Sequence, residues 1–180
     1  DSVTTRVGRH VMLFMPVVLK NYQAPPPPED VNLVVENIQV GPAVPVVGQP
    51  TRITVTLRNL GTDAVTEDFW VDLYVDPTMA PTVNVLWNDI APYGKAWFVH
   101  DVIPGGGTLV IHSDQPDDSE DPGAVYSNWP GWFVSAGDRV LYAQVDSYGM
   151  NWGLIPEIDE TDNVTGPMVV TVGGGTEFLV

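Results

Sequence analysis

The 180-residue chain has no cysteine. That excludes a disulfide framework, a thiolate nucleophile and a thiolate metal site. Positive charge is scarce as well: seven Lys and Arg stand against 23 Asp and Glu, for a net charge of −16. No cationic patch is available to neutralise phosphates, so nucleic acid is not expected as a partner. The same charge repels anionic membrane surfaces and makes divalent cations natural counterions. Long apolar runs are missing too. Residues 11–19 form an apolar ribbon half the length of the roughly 18 residues a membrane helix needs, and it carries Pro16, so no membrane insertion of the mature chain is expected.

Catalytic signatures are also lacking. There is no Gly-x-Ser-x-Gly, no His-Glu-x-x-His and no phosphate-cradling glycine loop ahead of a helix. Paired carboxylates could do glycosidase work in principle, but no motif points there. His10, His100 and His112 stand apart from one another, without a partner at metal-ligand spacing. The expectation is a protein that is not an enzyme.

An apolar fraction of 44 % with six Trp and six Tyr is too high for disorder and fits one domain. The chain starts at Asp1 without Met, which reads as a mature end left by signal-peptide removal. Residues 1–22 are a polar start followed by the apolar ribbon, and 23–30, "QAPPPPED", form a proline-rich linker of polyproline II character. Residues 31–172 read as a β domain and 173–180 as a flexible tail.

The β reading rests on alternation. In "TRITVTLRN" Ile53, Val55 and Leu57 share one face. In "FWVDLYVD" Phe69, Val71, Leu73 and Val75 lie opposite Trp70, Asp72, Tyr74 and Asp76. Similar runs occur at 31–40, 96–103, 107–112, 139–146 and 167–172, with Gly-, Pro- and Asn-rich turns between them. No stretch keeps a 3.6-residue period. The pattern predicts an all-β antiparallel sandwich. The apolar phase slips between Val35 and Ile38, which predicts a bulge in the first strand. Two long connections, 113–132 and 146–157, are expected to be functional or mobile.

Several pieces in order, "VNLVVENIQVGP", "GQPTRITVTLRNLGTDAV", "FWVDLYVD" and "RVLYAQVD" followed by "PEIDETDN", resemble the CARDB family, a bacterial cell-adhesion-related domain. The closing phrase is the most specific part, with Asp146, Glu157, Glu160 and Asn163 at the matching places. The resemblance implies an immunoglobulin-like sandwich and an extracellular, non-catalytic building block of surface assemblies. The two long connections are longer than the family's usual loops, and residues 1–30 lie outside the domain.

Three groups of residues are candidates for function. Asp146, Glu157, Asp159, Glu160 and Asp162 bring carboxylates near the last strand, either as calcium ligands or as turn residues bonding nearby amides. The run at 113–121, with Asp114, Asp117, Asp118, Glu120 and Asp121, gives a weaker cation signal or a solvated loop. Trp129, Trp132, Tyr148 and Trp152 could stack on surface glycans or fold back over the sandwich end. Asn163-Val164-Thr165 is a glycosylation sequon.

The third group is the ribbon itself. Val11, Leu13, Phe14, Met15, Val17, Val18 and Leu19 would expose a large apolar patch if left free. They pack either on their own domain or in a neighbour. Residues 20–30 reach roughly 30 Å as a stiff rod, which suits delivery to another copy. The leading expectation is a secreted filament subunit, a homopolymer joined head to tail by donated N-terminal segments. The alternative is a monomeric surface adhesin or carbohydrate-binding module tethered by the linker.

Overall fold

The computed structural model describes residues 30–115, 126–149 and 153–175. The expected donor residues 11–19, the prolines of the linker, the acidic residues 117–121 and Trp152 lie outside the described residues.

Among the described residues, seven strands form two antiparallel sheets. One sheet holds β1 (Leu33–Gly41), β2 (Arg52–Asn59) and β5 (Thr108–His112) in the order β1-β2-β5. The other holds β3 (Phe69–Val75), β4 (Tyr93–Val99), β6 (Gly137–Val145) and β7 (Val164–Val172) in the order β4-β3-β6-β7. A short helix α1 (Trp87–Ile90), which no 3.6-residue period marks in the sequence, lies between β3 and β4. This is the antiparallel, immunoglobulin-like sandwich that the alternation and the resemblance predict.

The core follows the pattern closely. Ile53, Val55, Leu57, Phe69, Val71 and Leu73 are fully buried between the sheets. Each such side chain stabilises the fold by about 1.5–3 kcal/mol. The β1–β2 register shifts between Val35 and Asn37, the bulge that the phase slip anticipated. The "NLG" turn is held by Asn59, which is fully buried and uses its whole amide. Its Oδ1 accepts from the Asn32 and Gly61 N–H groups, at 3.2 and 3.0 Å. Its Nδ2 donates to the Asp63 and Ile103 carbonyls, at 2.7 and 3.3 Å. A Cβ on Gly61 would lie 2.0 Å from the Asp30 carbonyl oxygen, so the turn excludes a side chain there.

Two expectations are corrected. β4 begins at Tyr93 rather than 96, because Tyr93, Gly94 and Lys95 pair with Val75, Tyr74 and Leu73 of β3. Gly94 runs so close to β3 that a Cβ would meet the Leu73 carbonyl oxygen at 2.4 Å. The start of the expected tail is also tied down: Gly173 bridges Val46, with its N–H on the Pro45 carbonyl at 2.8 Å.

Candidate binding surfaces

The loop from β6 to β7 gathers the acidic residues named from the sequence. Asp146 ends β6 in a left-handed conformation, with φ of 46°, and is fully buried. Its two carboxylate oxygens accept the Leu154 and Ile155 N–H groups at 2.9 and 2.8 Å. Burial pushes its carboxyl up to about 6. Gly153 is needed opposite, since a Cβ there would lie 2.0 Å from Asp146 Oδ2.

Glu157 accepts the Leu33 N–H on Oε2 and the Asn163 side-chain amide on Oε1, tying the loop to the start of β1. Burial, with smaller pushes from the Asp146 and Glu160 charges, lifts it to about 8. Glu160 accepts the Glu157 N–H at 3.0 Å, and burial raises its carboxyl. Asp159 takes the hydroxyl and N–H of Thr161, which hold it below the usual carboxylate range. Asp162 Oδ2 accepts from Asn32 at 3.0 Å.

All five acidic residues therefore share one loop, and each has a local bonding duty. Among the described residues no three His, Cys, Asp or Glu side chains are arranged to hold a metal ion. Asp146 and Glu157 use both oxygens on protein donors. Among the described residues, the buried side-chain oxygens left without a partner are Glu160 Oε2, Asp162 Oδ1 and Asn163 Oδ1. Asn163 is 2 % exposed, so the sequon does not present an accessible acceptor.

The aromatic residues do not form one platform. Trp129 folds back, with its ring 5.1 Å from Phe133 and edge-on to it against the core. Trp132 is exposed and lines a surface cleft beside Arg52 and Asp114, which pair at 2.5 Å. Tyr148 is half exposed and lines a different pocket, on the outer face of the four-stranded sheet.

That outer pocket was not named from the sequence. The outer residues of β3 are covered rather than solvated: Asp72 and Tyr74 are buried, with Trp87 of α1 packed above. Trp70 stacks on Tyr126, centroids 5.1 Å apart and planes 5° apart, and touches Phe98 at 4.7 Å on the same sheet. The pocket of about 290 Å³ is walled by Trp70, Trp87, Tyr126 and Tyr148, with Asp72 in its lining. The signal was in "FWVDLYV": aromatic residues on both faces of a strand mark a sheet covered on both sides.

The third surface lies between the sheets, where β1 and β7 are the outermost strands of their respective sheets. At one end the Thr165 hydroxyl donates to the Val35 carbonyl at 2.6 Å. At the other, Val47 N–H donates to the Gly173 carbonyl at 3.0 Å. Between these ties lies a cleft of about 670 Å³ lined by Ile38, Val40, Val44, Met168, Val169 and Val170. Val44 is 71 % and Val169 58 % exposed, unusual for apolar residues flanking open strand edges.

Architecture and surfaces together define a compact β-sandwich module with long, decorated end loops. A family model for CARDB matches residues 30–166, and the chain belongs to that family. It is similar to the CARDB domain of a Pyrococcus furiosus protein crystallised in complex with di-metal ions. That likeness has 19 % identity and a TM-score of 0.52, covering 82 % of this chain and 97 % of the other. A domain, residues 272–376, of a Methanosarcina acetivorans protein named for the cell surface is 16 % identical. Its TM-score is 0.49, with 79 % of this chain and 92 % of that one covered. No curated protein matches.

Proposed function

We propose that the chain is a non-catalytic structural subunit of an extracellular filament, in which residues 11–19 of one copy fill the β1–β7 cleft of the next. The cleft is the observation that carries this reading. Its apolar lining sits between two strand edges that are open among the described residues, where an added strand gains backbone bonds and buries side chains on both faces. The ribbon suits such a place, because both of its alternating faces are apolar. Val11, Leu13, Met15, Val17 and Leu19 lie on one, with Met12, Phe14, Pro16 and Val18 on the other. Pro16 lacks an amide hydrogen, so pairing lapses there on one side. Repetition of one non-closing contact builds a filament. The name of the Methanosarcina relative supports a surface location.

A cation has one place in this proposal. The Pyrococcus relative was crystallised with two metal ions. In this chain the unpartnered oxygens of Glu160, Asp162 and Asn163 are the groups that would take calcium, beside the start of β1.

Negative-stain images and size-exclusion profiles of the full chain and of a chain lacking residues 1–22 test the reading. Fibres from the first and folded monomers from the second are expected. Fibres from the shortened chain would refute the donated strand. Monodisperse particles of the full chain would favour the tethered adhesin or glycan-binding module instead.

A further inference from the structure

The outer pocket holds a buried negative charge that the protein does not balance. Asp72 is 1 % exposed. Its Oδ2 accepts the Trp87 N–H at 2.9 Å and its Oδ1 the Ser147 hydroxyl at 3.1 Å, both neutral donors. The ion pairs among the described residues join Arg52 to Asp114, Arg58 to Glu36, His100 to Asp68 and Arg139 to Asp76, and none reaches Asp72. The charge that acts on it is that of Asp89, of the same sign. An ionised carboxylate buried beside another anion is costly unless a cation arrives from outside.

The pocket has room for one. Asp72 sits opposite Ala96 on β4, and both line the pocket. The walls are aromatic, and aromatic rings attract cations through their π-electron density. The volume of about 290 Å³ suits a small headgroup rather than a polymer. The net charge of −16 draws cations in and keeps anions out. A neutral sugar would gain ring contacts but leave the carboxylate unbalanced. A compact cation with an apolar skirt answers both features. It needs no hydrogen-bond acceptor from the walls, and through a water-poor pocket it gains from the carboxylate without direct contact.

We propose that the pocket walled by Trp70, Trp87, Tyr126 and Tyr148 over Asp72 is a binding site for a small organic cation of the quaternary-ammonium class. Tyr148, half exposed, forms its rim and is the wall whose loss the fold tolerates best.

Equilibrium dialysis of the full chain against labelled choline tests this, with 3,3-dimethylbutan-1-ol as the uncharged mimic of the same shape and methyl glucoside as the sugar control. Saturable choline binding in the millimolar range is expected, with the uncharged mimic weaker by roughly tenfold or more. Tyr148→Ala should lose most of the binding with an unchanged melting temperature, and Asp72→Asn should erase the preference for choline over its mimic. Absence of saturable choline binding would overturn the proposal. Equal binding of the uncharged mimic would overturn it too, since the pocket would then be merely apolar. Binding of the glucoside in place of choline would make the site a sugar platform.

Discussion

Residues 126–128 run along the edge of β4, whereas the edges of β1 and β7 on the opposite side of the sandwich carry no such cover over the middle of their length among the described residues. On the β4 side the Ala96 N–H donates to the Tyr126 carbonyl at 2.7 Å, and Asn128 bonds Gly94 through both its N–H and its side-chain oxygen. Lys95 reaches across to the Ser113 and Gln115 carbonyls, stitching β4 to the chain leaving β5. On the β1–β7 side the described ties sit at the two ends, at Thr165 and at Gly173, with exposed valines between. Open apolar edges are a liability that proteins ordinarily cover. A side left uncovered among the described residues is what the proposed donated strand would fill.

The largest expected effect breaks this asymmetry by charging the open side. Val169→Asp puts a carboxylate into the cleft at a residue already 58 % exposed, so the monomer's stability should change by about 0.5 kcal/mol or less. Assembly should nonetheless be lost, because burying that charge under an incoming strand costs several kcal/mol. Phe14→Asp or Val17→Asp in the donor should have the same result. Val102→Asp, equally exposed in the β4–β5 connection, should leave fibres unchanged in electron micrographs. Fibres that survive Val169→Asp would remove the cleft from the account.

The covered side is sharpened by pH. Burial lifts Asp72 from 3.8 to about 6, against the pull of the Trp87 and Ser147 hydrogen bonds and helped by the Asp89 charge. Asp89 of α1 and the hydroxyls of Tyr74 and Ser147 are the groups facing it, while the buried Gln144 of β6 beside it is neutral. The folded state holds the proton more tightly than the unfolded one, so this group's contribution is greatest below about pH 4 and is lost as pH rises to about 6. The loss is roughly 3 kcal/mol, from a shift of about two units. Denaturant melts of wild type and Asp72→Asn across this range should diverge accordingly. Parallel profiles would mean that the carboxylate is not held in a water-poor pocket.

The two sides were not equally legible in the sequence. Period-2 alternation placed the inner faces of β2 and β3 and even the β1 bulge, because burial between sheets leaves a direct imprint on residue type. The β4 cover left almost none. "PYGK" reads as a turn, and only the pairing of Tyr93, Gly94 and Lys95 with β3 reveals those three residues as strand. The pocket on the outer face joins Trp70 and Asp72 to Trp87, Tyr126 and Tyr148, and period alone cannot bring together residues so far apart in the chain. The acidic loop was legible as a set, since "PEIDETDN" keeps its members close. What each carboxylate bonds was not, because their partners include Leu33 and Asn32 at the other end of the domain.

A smaller effect is expected from the tie that closes one end of the open side. Thr165→Val removes the hydroxyl that donates to the Val35 carbonyl at 2.6 Å and keeps the side chain's shape. The monomer should lose about 1 kcal/mol, seen as a lower denaturation midpoint with an unchanged slope. Assembly should become easier, because β1 and β7 are then freer to part. Slower fibre growth would instead mean that the tie is part of the acceptor.

On the proposed reading, calcium should have the smallest effect, beside the start of β1. Asp146 and Glu157 already give both oxygens to protein donors, so the free ligands reduce to Glu160 Oε2, Asp162 Oδ1 and Asn163 Oδ1. Calcium prefers 6–8 oxygens, and so few protein ligands make a weak site completed by water. At threefold excess over its dissociation constant such a site stabilises by about 0.8 kcal/mol, a rise of roughly 2–3 °C in melting temperature for a chain of this size. Glu160→Gln combined with Asp162→Asn should abolish the rise while leaving the β4 side untouched. Arg52–Asp114, the exposed ion pair at the far end of β5, is the internal control: Asp114→Asn should leave the calcium response unchanged. Identical melting curves in calcium and in chelator would show that the three oxygens are met by water and by the loop itself. The start of β1 would then be fastened by Glu157 and Asn32 without a metal.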